Sequence, residues 1–286
     1  MKSFITNSIG WAFAIITGFF AFIPESFFGQ KEWLTQEFIA RYKLLSSIDV
    51  YNINITISRL ISFLGIWVLV SIVYAIILIS RTKITIKGHN YSICIEYGDI
   101  LKKKNCKRVI NFDECFTKKV GNAISDINPS SICGQYLALH SDLNMKDLIK
   151  SANVKTAKSR SRYQNKIRYE SGTIVPNGND LLLAFAKLDE KGKGRFFTRD
   201  EYLTCLDLLW KELENYGSEM DVCIPILGSG TTLFEGGNGA SYSQQELLDM
   251  MILSYKLSSH KIKAPHKLRI VCKKSANFSI NNITES

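Results

Sequence analysis

The sequence predicts an α/β domain, a mixed sheet flanked by helices, preceded by an N-terminal two-helix transmembrane hairpin. Residues 4–23 and 60–80 each contain no charge, and each is about 20 residues long, the length an α-helix needs to cross a hydrocarbon core of roughly 30 Å. Beyond Arg81, near-continuous apolar runs of strand length alternate with stretches of helical periodicity, the signature of a layered α/β domain whose sheet is covered on both faces. The remaining length, 82–286, is enough for one such domain.

The second apolar run is nearly continuous Leu, Ile, Val and aromatics, whereas the first begins with Thr6, Asn7 and Ser8. The first is longer than the apolar part of a signal peptide and lacks a small-residue cleavage site after it, so it reads as a span, with helices at about 4–23 and 60–80. The connector mixes Lys31, Arg41 and Lys43 with Glu25, Glu32, Glu37 and Asp49. The segment after the second run is basic, with Arg81, Lys83, Lys87, Lys102, Lys103, Lys104, Lys107 and Arg108. The positive-inside rule therefore places the soluble domain and the N-terminus in the cytoplasm, at the inner cell membrane. The connector lies outside, and its KEWLTQEFIARYKLL stretch suits an amphipathic surface helix. The domain boundaries are thus 1–81 for the hairpin and 82–286 for the cytoplasmic ligand-binding domain.

The net charge is +10, and the seven cysteines all follow the second run. None forms a CxxC pair and the four histidines are scattered, so no metal site is expected and the thiols read as reduced core residues. A basic stretch from Lys146 to Tyr169 reads as a solvated loop, with attraction to anionic headgroups or a phosphate as the functional alternative. No helix-turn-helix, finger or aromatic-basic platform accompanies it, so no nucleic-acid partner is expected.

In the soluble part, ITIKG, YSICIEYGDI, KRVINF, LLLAFAKL, MDVCIPILG and LRIVCK read as strands. Thr198 to Tyr216 reads as a helix with Thr198 as N-cap and Gly217 as its stop, and Ser243 to His260 as another amphipathic helix.

Three polar loops follow strands: Gly98-Asp99-Ile100; the VINFDECFTKKVGN and INPSSICGQYL segments; and Gly228-Ser229-Gly230-Thr231-Thr232. In open α/β sheets ligands sit outside the carboxyl ends of the strands. An acid there can accept from an adenine amino group, glycines and free N–H groups can hold a diphosphate, and an aromatic can pack a ring. The structural alternatives are equally concrete. Asp99 could cap its own turn, Asn111 could pin a loop, Phe116 and Cys133 could be core, and the Gly228 loop could be a plain surface loop.

GDI after a strand, VINF with its asparagine and a glycine-rich strand-to-helix loop resemble a macro domain, the fold that binds ADP-ribose. The order VINFDECFTKKV, INPSSICGQYL, YESGTIV, LLLAFAKLD, EYLTCLDLLWKEL and IPILGSGTTLFEGG behind two apolar runs is similar to the membrane-anchored macro-domain effectors of Thoeris anti-phage defence. The resemblance covers nearly the whole chain. It implies a macro-domain-like mixed sheet and a receptor rather than an enzyme. The ligand would be an ADP-ribose derivative, a histidine conjugate, made from NAD by a TIR-domain partner. Binding would trigger homo-oligomerisation and membrane disruption, ending in cell death or growth arrest, with no cofactor.

The resemblance assigns Asp99 and Ile100 to the adenine, Asn111 to the strand-end motif, Ser131, Ile132, Cys133 and Gly134 to a first phosphate loop, and Gly228, Ser229, Gly230, Thr231 and Thr232 to a second. Phe116 and Thr117 follow the asparagine, and Gly172 and Thr173 lie in a segment shared with these effectors. Asn111 is followed by Phe112-Asp113-Glu114 rather than by small residues and a second asparagine, and the second loop reads LGSGTTLF. Both departures weigh against ADP-ribosyl hydrolysis. A membrane-tethered hydrolase, or a reader of ADP-ribose conjugates, is the alternative.

Overall fold

The computed structural model describes residues 2–40, 49–230, 232–234 and 242–283. The chain divides into two compact units, Met1–Arg81 and Thr82–Ser286.

The first unit holds α1 (Lys2–Phe22), α2 (Glu25–Gly29), α3 (Gln36–Ala40) and α4 (Val50–Ser80). α4 begins ten residues before the predicted span, because the Asp49 carboxylate caps it by accepting from the Tyr51 N–H at 3.2 Å and the connector shelters its polar first turns. The Asn54 carboxamide oxygen accepts from the Trp33 and Leu34 N–H groups at 3.1 and 3.0 Å, and its NH2 donates to the Leu34 carbonyl at 3.0 Å. Ser58 accepts from the Trp33 indole at 2.9 Å, and Arg59 pairs with Glu25 at 2.8 Å. The connector thus supplies partners for both the oxygen and the nitrogen of this buried amide, as burial requires. Within the described part of the expected amphipathic helix, Trp33 folds onto α4 and Gln36–Ala40 is helical; the rest of that stretch, 41–45, lies outside the described residues.

α1 packs on α4 and buries Ser8, Ala12 and Ile16, which recur every four residues along one face. Among the described residues, α4 alone is long and apolar enough to cross a membrane; the apolar stretch of α1 is Ser8–Gly18.

The second unit contains β1 (Lys83–Gly88), β2 (Tyr91–Tyr97), β3 (Lys107–Asp113), α5 (Ile132–Leu139), α6 (Met145–Ser151), β4 (Ile174–Asn177) and β5 (Asp180–Leu188). β6 (Gly194–Phe196), α7 (Arg199–Tyr216), β7 (Val222–Pro225), β8 (Leu233–Phe234), α8 (Gln244–Leu257) and β9 (Leu268–Cys272) complete it. The mixed sheet runs β1-β2-β9-β7-β3-β5-β6-β8, with β4 paired to β5. β2, β9, β7, β3 and β5 are mutually parallel; β1 runs antiparallel to β2, β4 and β6 run antiparallel to β5, and β8 pairs parallel to β6.

The alternation along β5 explains its uninterrupted apolar sequence. Leu181, Leu183 and Phe185 enter the core beneath α7 and α8, whereas Leu182 and Ala184 enter the second core with Tyr136 and Leu137 of α5 and Met145 of α6. β4, β6 and β8 were missed because each is short. β4 and β5 form a hairpin closed by Gly178-Asn179, with Gly178 at φ +62°, a turn that the Gly-Asn pair signals in the sequence.

Thr198 caps α7 by accepting from the Glu201 N–H at 3.2 Å. Ser243 and Glu246 form a reciprocal capping box on α8. α8 stops at Leu257, three residues early, because Ser258 turns to extended backbone. The basic stretch from Lys146 to Tyr169 is only partly a solvated loop. It opens within α6 and later folds onto the buried Glu114, whose carboxylate accepts from Ser161 Oγ at 2.5 Å and whose carbonyl accepts from the Tyr169 N–H at 2.8 Å.

Gly172 has φ +107°, and a Cβ there would sit 2.6 Å from the Cys205 carbonyl of α7. Gly172→Ala is expected to destabilise the fold by more than about 1 kcal/mol, read as a fall of several degrees in the thermal midpoint of the full chain in neutral detergent.

Candidate functional site

Three cavities form one trough along the carboxyl edge of the parallel strands. The first, about 500 Å³, is lined by Tyr97, Gly98, Asp99, Ile100, Leu101, Ile132, Gln135, Val271 and Lys273. The second, about 300 Å³, shares Ile132, Val271 and Lys273 with it and adds Asn111, Asn128, Ser131, Gly228, Ser229, Gly230, Thr232 and Gln244. The third, about 410 Å³, shares Asn111, Asn128, Ser131 and Thr232 with the second and extends past Asp113, Thr117, Cys133, Ala186 and Gly194.

The first cavity is mostly apolar, with one acid at its rim. Asp99 caps its own turn, accepting from the Leu101 N–H at 3.0 Å, and its second oxygen lies 3.8 Å from Lys102 Nζ. The structural role expected of a Gly-Asp turn is thus present, and Asp99 also borders the cavity. Ile100 is buried against Cys106, Cys223 and Val271 and forms the floor. Behind it, Glu96 of β2 joins Lys103 at 2.9 Å and Arg269 of β9 at 2.7 Å. Burial alone would raise this carboxyl, but the two cations outweigh it and hold Glu96 below its ordinary value.

The second cavity is built for an anion. Ser131 caps α5, its hydroxyl accepting from the Gly134 N–H at 3.0 Å and donating to the Asn128 carbonyl at 2.7 Å. The helix start leaves the N–H groups of Ile132 and Cys133 without intrahelical acceptors, beside the positive end of the helix dipole. Opposite them, Gly228 adopts φ +85° and lies so close to Phe234 that a Cβ would be 2.8 Å from its ring. Ser229 donates its hydroxyl to the Ile226 carbonyl at 2.7 Å. Among the described residues, nothing lies within 4 Å of a Cβ added at Gly230. The loop is fastened from below, where Tyr202 of α7 donates to the Leu227 carbonyl at 3.1 Å.

In the third cavity, Asp113 accepts from the Cys115 N–H at 2.7 Å, the Thr117 N–H at 3.3 Å and the Thr117 hydroxyl. Burial pushes the Asp113 carboxyl up despite these donors. Burial and the neighbouring Asp113 charge also push the Cys133 thiol well above its ordinary range, which rules it out as a thiolate at neutral pH.

Of the residues singled out by sequence, Asp99, Ile100, Asn111, Thr117, Ser131, Ile132, Cys133, Gly228, Ser229, Gly230 and Thr232 line the trough. Thr231 lies outside the described residues. Three of the assignments fall on residues that line none of these cavities and have packing or backbone roles instead. Phe116 is buried in the core against Phe112 and Tyr169, at 5.9 and 5.5 Å between ring centroids, and presents no face to a ligand. Gly134 is a packing glycine: a Cβ would meet the Asn128 carbonyl at 2.3 Å, and its N–H already serves the Ser131 cap. Gly172 and Thr173 line none of these three cavities; the Gly172 N–H donates to the Ala184 carbonyl at 2.8 Å and the Thr173 carbonyl accepts from the Ala184 N–H at 2.9 Å, holding the segment that leads into β4 onto β5.

Sequence reading missed Val271 and Lys273, Asn128 and Gln244. The strand-end rule would have found Lys273, since LRIVC ends at the same edge as the other parallel strands.

Residues 93–273 match the family model described as Thoeris protein ThsA, macro domain. The chain belongs to this family. Over 231 residues it is 27% identical to Thoeris protein ThsA from Bacillus amyloliquefaciens (strain Y2), covering 78% of this chain and 76% of that protein. Among solved structures, the Oceanobacillus iheyensis macrodomain with ADP aligns with 10% identity and a TM-score of 0.41, covering 68% of this chain and 89% of that one. The macrodomain of Thermus aquaticus DarG aligns with 12% identity and a TM-score of 0.33, covering 64% and 98%.

Because the folded-state value of Glu96 is lowered, its contribution is present above the unfolded value of about 4.3 and is lost as pH falls through the folded value. Glu96→Gln is expected to lower the thermal midpoint at neutral pH, and its midpoint should then fall less steeply than wild type below about pH 5, as followed by thermal unfolding across a pH series.

Proposed function

We propose that this protein is a membrane-anchored effector of anti-phage defence whose macro domain senses an ADP-ribose-derived signal. One observation carries the reading: three contiguous cavities match the three parts of such a ligand in order. The adenine lies over Ile100 and Val271 with Asp99 at its amino group. The diphosphate lies between the start of α5 and the Gly228 loop, with Lys273 adding charge. The distal ribose lies beside Asn111, leaving the remainder of the third cavity for a conjugated group such as histidine. Family membership supports the same assignment.

A TIR-domain protein consuming NAD supplies the signal in this reading, and the signal shifts the equilibrium toward an active arrangement only because it binds that arrangement better. α4, together with α1 as the second arm of a hairpin, anchors the chain with the N-terminus and macro domain cytoplasmic. Two residues, Arg81 and Thr82, separate the end of α4 from β1, so the coupling path along the chain is short. Two helices cannot enclose a pore, so membrane disruption requires several copies packed through their apolar helices.

A hydrolase of ADP-ribose conjugates would use Asp113 as its base, an acid lining the third cavity whose carboxyl is pushed up by desolvation. Its oxygens already accept from three donors of its own turn, which favours binding without turnover.

Titrating the full chain in neutral detergent with ADP-ribose and its histidine conjugate tests this reading. The conjugate is expected to bind and to be recovered intact by chromatography. Gly230→Glu, which has space for its side chain and sets a carboxylate against the diphosphate, is expected to weaken binding at least tenfold with the thermal midpoint retained. Binding unchanged by Gly230→Glu would remove the diphosphate from this loop, and a cleaved product would favour the hydrolase.

A further inference from the structure

A fourth cavity, about 180 Å³, lies where the basic stretch folds onto β5 and the start of α7, and it meets the third cavity only at Leu188. Four cations line it, Arg160, Arg162, Arg168 and Lys187, against two acids, Glu114 and Glu201. The acids are already committed. Glu114 is buried, accepting from Ser161 Oγ at 2.5 Å and the Leu188 N–H at 3.2 Å, and it pairs with Arg168 at 3.5 Å. Glu201 pairs with Lys187 at 2.7 Å and accepts from the Phe197 N–H at 2.8 Å. Arg168 also lies 3.7 Å from the exposed Glu170, and the nearby Arg195 pairs with Asp189.

Arg160 and Arg162 remain. Neither has an acidic partner among the described residues, and the Arg162 guanidinium is held at 4.0 Å over the Phe197 ring. The Ser159 hydroxyl oxygen accepts from Arg168 Nε at 3.2 Å and from its Nη2, leaving its own O–H to donate into the cavity. Two unpaired guanidiniums, one of them held on an aromatic face, together with one free hydroxyl donor, are the chemistry that recognises a phosphate group. The buried Glu114 anchor also argues for a site rather than a charged surface loop, since it fixes Ser161 and Arg168, and Arg168 in turn holds Ser159, so that Arg160 and Arg162 lie in a segment tethered on both sides.

We propose that this cavity is a phosphate-binding site separate from the nucleotide trough, with Arg160, Arg162 and Ser159 as its ligands. The phosphate is either free in solution or the headgroup of an anionic lipid. The site stands on its own geometry and does not depend on the ligand assigned to the trough.

The test compares the full wild-type chain with an Arg160→Gln/Arg162→Gln double variant. Arg168 is left intact because its loss would strip the buried Glu114 of its cation. The chains are titrated with inorganic phosphate in neutral detergent, then placed in phosphatidylcholine nanodiscs with and without phosphatidylglycerol, following the thermal midpoint. Circular dichroism and the response to ADP-ribose, whatever its size, should be the same in both chains. A phosphate affinity at least tenfold weaker in the variant would establish a free-phosphate site. Stabilisation of wild type alone by phosphatidylglycerol, with little response to inorganic phosphate, would establish a lipid-headgroup site. Equal responses of the two chains to both probes would overturn the proposal.

Discussion

A strand buried on both faces can offer chemistry only at its ends, and this constraint organises the soluble domain. β3 and β5 are covered on one side by α7 and α8 and on the other by α5 and α6. Val109 and Ile110 therefore disappear into opposite cores, and Asn111, the next residue on the Val109 side, is where the core gives way to the trough. Because β2, β9, β7, β3 and β5 are parallel, their carboxyl ends meet at one edge. Gly98-Asp99, Lys273, the Gly228 loop and Asp113 arrive there from positions far apart in sequence. The site is a consequence of topology before it is a consequence of any single residue.

The two sides of the trough are held differently. The start of α5 is rigid, with Ser131 capping it and the Asn128 carbonyl packed against Gly134. The Gly228 loop is tied from below by Tyr202, and among the described residues nothing packs against Gly230. In the proposed reading, a bound diphosphate would bridge the Gly228 loop and the start of α5.

The parts of the fold that depend on local chemistry were legible in the sequence. Continuous apolar runs located the six principal strands, and Thr198 marked the start of α7. What was illegible depends on distant partners. A glycine needed for a close backbone approach, such as Gly134 or Gly172, cannot be told from one that receives a ligand until the opposing carbonyl is seen. Phe116 reads as a ring available for stacking until Phe112 and Tyr169 close around it. The early start of α4 depends on Asn54 and Ser58 being satisfied by Trp33 and Leu34 across the connector. The basic stretch looked like solvated charge because the acid that anchors it, Glu114, lies 47 residues before Ser161.

The measurement that tests the central claim most directly is amide hydrogen exchange on the full chain, with and without the histidine conjugate of ADP-ribose. A ligand lying along all three cavities should slow exchange together at 98–101, 111–117, 130–135 and 226–230, the four segments the sheet edge brings together. Unchanged exchange at these segments with saturating ligand, or protection confined to one of them, would contradict the assignment.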